Sequence, residues 1–253
     1  MSPAAKEEAM FPDLCNVQNR LLRSLSDDEF QLLRAFFEPV KLKVNDLLVQ
    51  RLSPIRHLHF IEDGMASIVS APERSRCVQV SCVGREGMTG IPVLLDLTLT
   101  PLETFVQVSG TAFRIPADAM RGAIDASPSL HRKLLKYSYT ATLQTVEAAH
   151  SFSHNTVAER LARWLLLAHD RANSDDIFLT HTVLASMIGA RRAGVTDAVA
   201  ILEGEGMIKA MRGHIIVLDR DALIVRTAGC YGSSEAEYAR TIGKAVWPRP
   251  SAA

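Results

Sequence analysis

The stretch Leu179–Ile208, LTHTVLASMIGARRAGVTDAVAILEGEGMI, limits what this chain can fold into more than any other. Leu184, Ala185 and Ile188 fall on one face of a first helix. Gly189 follows, a residue suited to a corner that a side chain would strain. A second helix carries Val195, Val199 and Leu202 as its inward stripe. Its other face shows Arg191, Arg192, Thr196 and Asp197. A small residue at Ala185, a Gly four later and a Val six beyond that is the helix-turn-helix spacing. The Ala lets the helices approach, the Gly turns the corner and the Val anchors the second helix. That second helix, with arginine at its start, has the shape to enter a DNA major groove.

The residues after this stretch favour a helix-turn-helix over an ordinary helical hairpin. Gly206-Met207-Ile208 ends the second helix. KAMRGHIIVLD (Lys209–Asp219) then reads as strand, Arg212-Gly213 turn and apolar strand. A helix-turn-helix closed by a β-hairpin is a winged helix, and its tip places Arg212 and His214 near phosphates. Thr180 and Thr182, at the start of the first helix, join the DNA-facing set.

A length of 253 residues suggests two domains. Lysines and arginines number 28, as do aspartates and glutamates. Zero net charge argues against a general polyanion binder, but a groove reader needs only a local basic face. No apolar run approaches a membrane span. The start, MSPAAKEEAMFPDL, lacks the basic and apolar segments of a signal peptide, so a frayed tail and a cytoplasmic location are expected. Cys15, Cys77, Cys82 and Cys230 form no metal-ligand spacing and are expected as free thiols.

In chain order, Asn16–Leu25 reads as a short helix, and Ser26-Asp27-Asp28-Glu29 as a capping box opening a helix through about Phe37, ended by Pro39. Phe30, Leu33 and Phe37 are its buried stripe. From Val40 to about Arg114, short apolar runs alternate with turn residues, as in a sandwich or barrel. They are Val40–Val44, Leu47–Val49, His57–Ile61, Met65–Val69, Val78–Val83 and Phe105–Val108, with Glu62-Asp63-Gly64 as a hairpin turn. Pro116–Asp125 is a helix, and Ser127-Pro128 restarts a longer one through about Ser151. The long helix carries two stripes, one of Leu130, Leu134, Tyr137 and Ala141, the other of Leu135, Tyr139, Thr142, Val146 and Ala149. Two stripes exceed what one neighbour needs, so one covers the barrel and one meets a twin helix. Phe152–His154 is the domain boundary. Thr156–Arg171 is a helix with Val157, Leu161, Trp164, Leu165 and Ala168 inward, Asn173–Asp176 a loop, and Ile177–Thr180 a short strand. After the wing come an element at Asp221-Ala222-Leu223 and a tail whose Ser234 to Glu237 spacing suggests a cap, leading to Trp247-Pro248.

These features together resemble the Crp/Fnr family of bacterial transcription regulators. The resemblance runs from about Ser26 to Leu223 and is most specific in AERLARWLLLAHDR, LTHTVLASMIGARRAGVT and RGHIIVLDRDAL; RHLHFIEDGMASIV and VGREGMTGIPVLL resemble the family's barrel strands. The RRAGVT version is similar to a proteobacterial subgroup whose effector is generally unassigned. The resemblance implies an α+β protein: a tail and short helix at 1–25, a cyclic-nucleotide-binding-like β-barrel (jelly roll) at 26–126, a dimerisation helix at 127–152, a winged helix-turn-helix at 153–226 and a tail at 227–253. It implies a homodimer whose helix is marked by Leu130, Leu134, Tyr137 and Ala141, bound to double-stranded DNA, and contacting RNA polymerase if it activates. Arg192, Ala193 and Asp197 occupy the family's base-reading positions. Arg192 keeps an arginine able to pair with guanine. Ala193 stands for a usual Glu and Asp197 for a usual Arg, so the family's TGTGA-type half-site does not carry over. Arg191 and Thr196 are phosphate or edge contacts.

The family's nucleotide pocket pairs Gly-Glu for the ribose with Arg-Ser or Arg-Thr for the phosphate. Here the first reads Gly90-Ile91-Pro92 and the second Leu102-Glu103-Thr104. Gly90, Ile91, Glu103 and Thr104 therefore mark a degenerate pocket, in which Glu103 repels an anion. No cyclic nucleotide and no other cofactor are expected, and any small-molecule effector is unidentified. Cys15 alone near the N-terminus does not make an iron–sulfur set. His57 and His59 share one strand face and are read as half-exposed strand residues. A cupin-like metalloenzyme would need more histidines and a carboxylate, and no catalytic motif occurs. A barrel acting mainly through protein contacts is the other alternative, against which the recognition helix and wing argue.

Overall fold

A computed structural model describes residues 12–70, 77–172 and 174–243. The Trp247-Pro248 expectation lies outside them. The first helix of the described residues is short, α1 (Arg20–Arg23), capped by the Asn19 side chain. Helix α2 (Asp27–Arg34) starts at a complete capping box: the Ser26 hydroxyl accepts from Glu29 N, and the Glu29 carboxylate accepts from Ser26 N. It ends before the expected Phe37, and Pro39 lies instead in strand β1 (Glu38–Leu42). Proline is tolerated there because β1 ends the sheet's strand order.

The remaining strands of this sheet are β2 (Leu47–Val49), β3 (His57–Ser70), β4 (Val78–Val83) and β5 (Glu103–Pro116). Their order is β1-β5-β3-β4, with β2 also paired to β5. β1 and β2 both run antiparallel to β5. Two strands are longer than the sequence suggests. Glu62-Asp63-Gly64 is not a turn, because β3 runs straight through it. Gly64 has φ +85°, and a Cβ there would sit 2.5 Å from Val108 O. Opposite it, a Cβ on Gly110 would sit 2.0 Å from Asp63 O. The two glycines serve a close crossing of backbones, a use of strand glycine that reads in sequence like a turn.

Leu42, Ile61, Ala66, Val83, Val106 and Ala112 form a buried cluster of the sheet. Phe37 centres an aromatic group, 5.8 Å from the Phe30 ring, 5.7 Å from Phe60 and 5.4 Å from Phe113. Fully burying each such side chain contributes about 1.5–3 kcal/mol. A 3-10 helix (Ile91–Leu95) and helix α3 (Ala117–Ala126) follow β4 and β5 respectively. Pro116, expected as the first residue of this helix, is instead the cap of α3, which begins one residue later.

Helix α4 (Pro128–His154) is 27 residues long. Leu130, Leu134 and Tyr137 are buried, and Tyr137 Oη both donates to Met88 O and accepts from Met88 N at 3.0 Å. Three of the four residues expected to mark a dimer helix are therefore spent within the chain, and the fourth, Ala141, is half-buried. The other stripe is open from Tyr139 onward: Tyr139 is 54% and Val146 59% exposed, Thr142 and Ala149 are exposed beside them, and Leu135 at its start is half-buried.

Helix α5 (Val157–His169) begins with a second capping box, Thr156 with Glu159. The short strand β6 is Asp176–Phe178, after which Thr180 caps helix α6 (His181–Met187) instead of ending the strand. Helix α7 (Arg192–Gly204), strands β7 (Ile208–Met211) and β8 (His214–Val217), and helices α8 (Arg220–Arg226) and α9 (Ser233–Thr241) complete the fold. Ser234 lies inside α9, so it does not cap it.

Packing divides the chain into two compact units. The first holds the described residues to Ala66, with Val83–Ser138 and Thr241–Gly243. The second holds Tyr139–Arg240 together with Ser67–Cys82, the described ends of β3 and β4. No helix among the described residues is long and apolar enough to cross a membrane.

Candidate nucleic-acid interface

The helix-turn-helix is built as its spacing requires. Leu184, Ala185, Met187 and Ile188 bury one side of α6, and Val195, Ala198, Val199 and Leu202 one side of α7. The Thr180 hydroxyl caps α6 by accepting from Val183 N at 3.3 Å. Between the helices Gly189 has φ +60°, a left-handed position that glycine takes without strain. Ala190 N donates to Ala185 O at 2.9 Å. From α5, Arg160 Nη1 donates to Ile188 O at 3.1 Å and Gly189 O at 3.3 Å. A cation thus satisfies the carbonyls at the C-terminal end of α6, where the helix dipole favours it.

Arg191, Arg192, Ala193, Thr196 and Asp197 are all exposed or half-exposed, as are Thr180 and Thr182. Arg191 is the cap residue of α7, and the first turn of α7 holds no acidic residue. Two arginines and the positive end of the helix therefore concentrate charge at one tip. Thr196 is not a free hydroxyl. It donates to Arg192 O at 3.2 Å, and its Oγ1 lies 3.1 Å from His181 Nδ1. His181 thereby ties the start of α6 to the outer face of α7. The sequence gives no sign of this tie, because no spacing rule couples residues fifteen apart on two helices.

The wing is a three-stranded antiparallel sheet, β6-β8-β7. Gly213, at φ +86°, makes the turn between β7 and β8, beside the exposed Arg212. His214 departs from the expected phosphate contact. It is half-buried, its Nδ1 lies 2.6 Å from Asp176 Oδ1, and its ring stacks on Phe178 at 5.4 Å. A carboxylate beside it opposes an approaching phosphate, so His214 serves the wing's own sheet. Phe178, 73% exposed, is the unanticipated neighbour.

The ends of β3 and β4 pack against helices of the second unit and the helix-turn-helix corner. Trp164 Nε1 on α5 donates to Gln79 Oε1 at 3.1 Å, and Ser67 Oγ donates to the same oxygen at 2.9 Å. Ser81 Oγ and Cys82 N donate to Gln144 Oε1 on α4. Val78 sits under the helix-turn-helix corner, where a Cβ on Gly189 would lie 3.6 Å from Val78 Cγ2.

In the first unit, Gly90 is buried at φ +80°, and a Cβ there would meet Leu58 Cγ at 2.9 Å. Ile91 and Glu103 are half-buried, and Thr104 is buried in β5 opposite Val49. His59 is buried rather than half-exposed; its Nδ1 lies 3.3 Å from Thr89 Oγ1, and burial holds its pKa down at about 4. Leu94, Leu95, Arg121, Ile124, His131 and Leu135 line a cleft of about 480 Å³. No group of three or more His, Cys, Asp or Glu among the described residues is placed to hold a metal ion.

A family model described as the Crp-like helix-turn-helix domain matches residues 159–226. No curated protein matches the chain. Among solved structures, the chain is similar to a protein from Eubacterium rectale assigned to the crp/fnr family of transcriptional regulators. That match has TM-score 0.66 and 16% identity, and covers 83% of this chain and 98% of the other. The c-di-GMP responsive global regulator CLP of Xanthomonas campestris matches with TM-score 0.62 and 13% identity, covering 76% and 99%. FixK2 of Bradyrhizobium japonicum matches with TM-score 0.61 and 14% identity, covering 74% and 95%.

Proposed function

We propose that this chain, which has the fold of Crp/Fnr regulators and carries a Crp-like helix-turn-helix domain at residues 159–226, regulates transcription by sequence-specific binding to double-stranded DNA. The observation that carries this is the open tip of α7, where Arg191, Arg192, Ala193, Thr196 and Asp197 face outward while the opposite side is buried. Arg192 reads guanine through O6 and N7. Arg191, Thr180 and Thr182 position the helix on phosphates, and Arg212 does so from the wing. Ala193 and Asp197 cannot make the contacts of a Glu and an Arg, so the operator differs from TGTGA.

The working molecule is a homodimer joined by α4. Leu135, Tyr139, Thr142, Val146 and Ala149 are spaced alternately four and three apart, the seam of a two-stranded coiled coil. Two recognition helices then address half-sites ~34 Å apart in an inverted repeat. In this scheme residues 26–126 are the sensor, 127–152 the dimer helix and 153–226 the reader.

The sensor does not take cyclic nucleotides, because Glu103 stands where the phosphate needs a cation. Cyclic AMP and c-di-GMP should each leave the melting temperature unchanged. The central test is selection of bound sequences from a random DNA pool by the full chain. A paired, inverted motif is expected; recovery of no motif would overturn the reading.

A further inference from the structure

Residues Thr227–Arg240 lie beyond the matched domain, yet they are stitched into the second unit at four places. Asn155, in the junction between α4 and α5, donates through Nδ2 to Thr227 O at 3.1 Å and accepts from Cys230 Sγ at 3.1 Å. Arg163 Nε on α5 donates to Cys230 O at 2.9 Å. Tyr231 Oη donates to Asp170 Oδ2 at 2.6 Å, and Arg220 Nη2 holds the other oxygen of that carboxylate at 2.6 Å. The fourth attachment is on α4, where Ser234 N donates to Glu147 Oε1 at 2.9 Å. One short segment therefore grips the helix before the junction, the junction itself and the helix after it.

The chemistry at Glu147 is unusual. Ser234 Oγ lies 3.0 Å from Glu147 Oε2 and 2.9 Å from Glu235 Oε2. A hydroxyl has one proton to give. It can satisfy two carboxylates only if one of them is protonated and donates to it. Glu235 Oε1 is buried with no hydrogen-bond partner, so a second full charge here has little to compensate it. We propose that Thr227–Arg240 is a latch, closed by one proton shared between Glu147 and Glu235 across Ser234, that fixes the α4–α5 junction and so the bearing of the reading head on the dimer helix. The closed form is a relay in which one of the two carboxyls donates to the Ser234 hydroxyl and that hydroxyl donates to the other, ionised carboxylate.

The groups facing Glu147 are Arg163 on α5, with Nη2 at 3.6 Å, Glu235 on α9 and the Cys230 thiol in the connecting loop. Burial first, and Glu235 second, push the Glu147 pKa above its ordinary 4.5, against the pull of Arg163 and Ser234. A raised value in the closed form means that the stabilisation is complete below 4.5 and is lost as pH rises through the raised value. Alkali opens the latch.

The proposal rests on the regulator reading only for its consequence, weaker binding of operator DNA when the latch is open; the latch itself is measured without DNA. The test is amide hydrogen exchange on the full chain, expressed as protection factors at about pH 5.5 and about pH 8. In the natural chain, protection of Ser233–Arg240 should fall between the two. Glu147→Ala should lower it roughly tenfold or more at about pH 5.5 and leave it near the natural chain's low value at about pH 8, while the α7 amides keep theirs. Glu147→Gln, which keeps an acceptor and a donor, should hold the segment protected at both. Equal protection in the natural chain and Glu147→Ala at the lower pH would overturn the latch, and a Glu147→Gln variant that still responds to pH would overturn the proton's role. The expected protection changes with unaltered DNA binding would locate the failure in the consequence drawn for DNA affinity and leave the latch standing.

Discussion

Trp164 donates its indole N–H to Gln79 at 3.1 Å, so the first helix of the matched domain region hangs on the end of strand β4. The same carbonyl oxygen also accepts from Ser67. Trp164→Phe removes the donor and leaves Gln79 one partner, which should cost about 1 kcal/mol of stability. Gln79→Ala leaves the buried indole N–H without its acceptor and should cost more, about 1–3 kcal/mol. Urea unfolding of both variants checks the ranking, and a smaller loss for Gln79→Ala would contradict it.

Arg192→Ala should weaken binding to the selected operator by about 1–3 kcal/mol and relax preference at one base pair. Competition titrations against single-base operator variants measure this. Equal losses on specific and random DNA would make Arg192 a phosphate contact.

Arg212→Ala at the wing tip should weaken all sequences alike and flatten the salt dependence by about one ion. The measurement is a salt titration of binding to specific and unrelated duplexes. A change in base preference would reassign Arg212 to the groove.

Val146→Asp sets a charge in the middle of the open α4 seam, where the native side chain is 59% exposed in the single chain. Sedimentation should show the dimer converted to monomer, with far-ultraviolet circular dichroism unchanged. A dimer that survives the substitution would place the interface elsewhere.

His59 supplies the pH prediction. Burial lowers its pKa from 6.5 to about 4 in the folded chain. A depressed value means that its stabilisation is complete above 6.5 and is lost as pH falls toward about 4. Acidification from 6.5 by about 1.5 pH units should therefore cost about 2 kcal/mol from this residue alone. Denaturant unfolding across that range checks it: His59→Gln should show a shallower slope than the natural chain.

The reading head is legible in the sequence because its signal is local. Ala185, Gly189 and Val195 define the two helices within a few turns, and Arg212-Gly213 defines the wing. The capping box behaves in the same way, Ser26 and Glu29 lying three residues apart. Contacts between distant residues are not legible. Gly64 spells a turn until Gly110 is placed across from it, and His214 suggests a phosphate ligand until Asp176 is placed beside it. Both stripes of α4 emerge from their period, but which one stays open depends on Met88, far from Tyr137 in sequence. Ser234 looks like a cap because the partner it has, Glu147, stands 87 residues earlier.

Strands β3 and β4 start in one compact unit and finish in the other. No single cut in the chain returns both units whole. A fragment beginning at Tyr139 would leave behind Ser67–Cys82, uncovering the Trp164 indole and the Gln144 amide together. Recombination that exchanges the second unit between proteins of this fold therefore has to carry Ser67–Cys82 along. A graft designed only by where the helices begin would leave buried polar groups of that unit uncovered, so chimeras are better planned around the strand ends than around the α4–α5 junction.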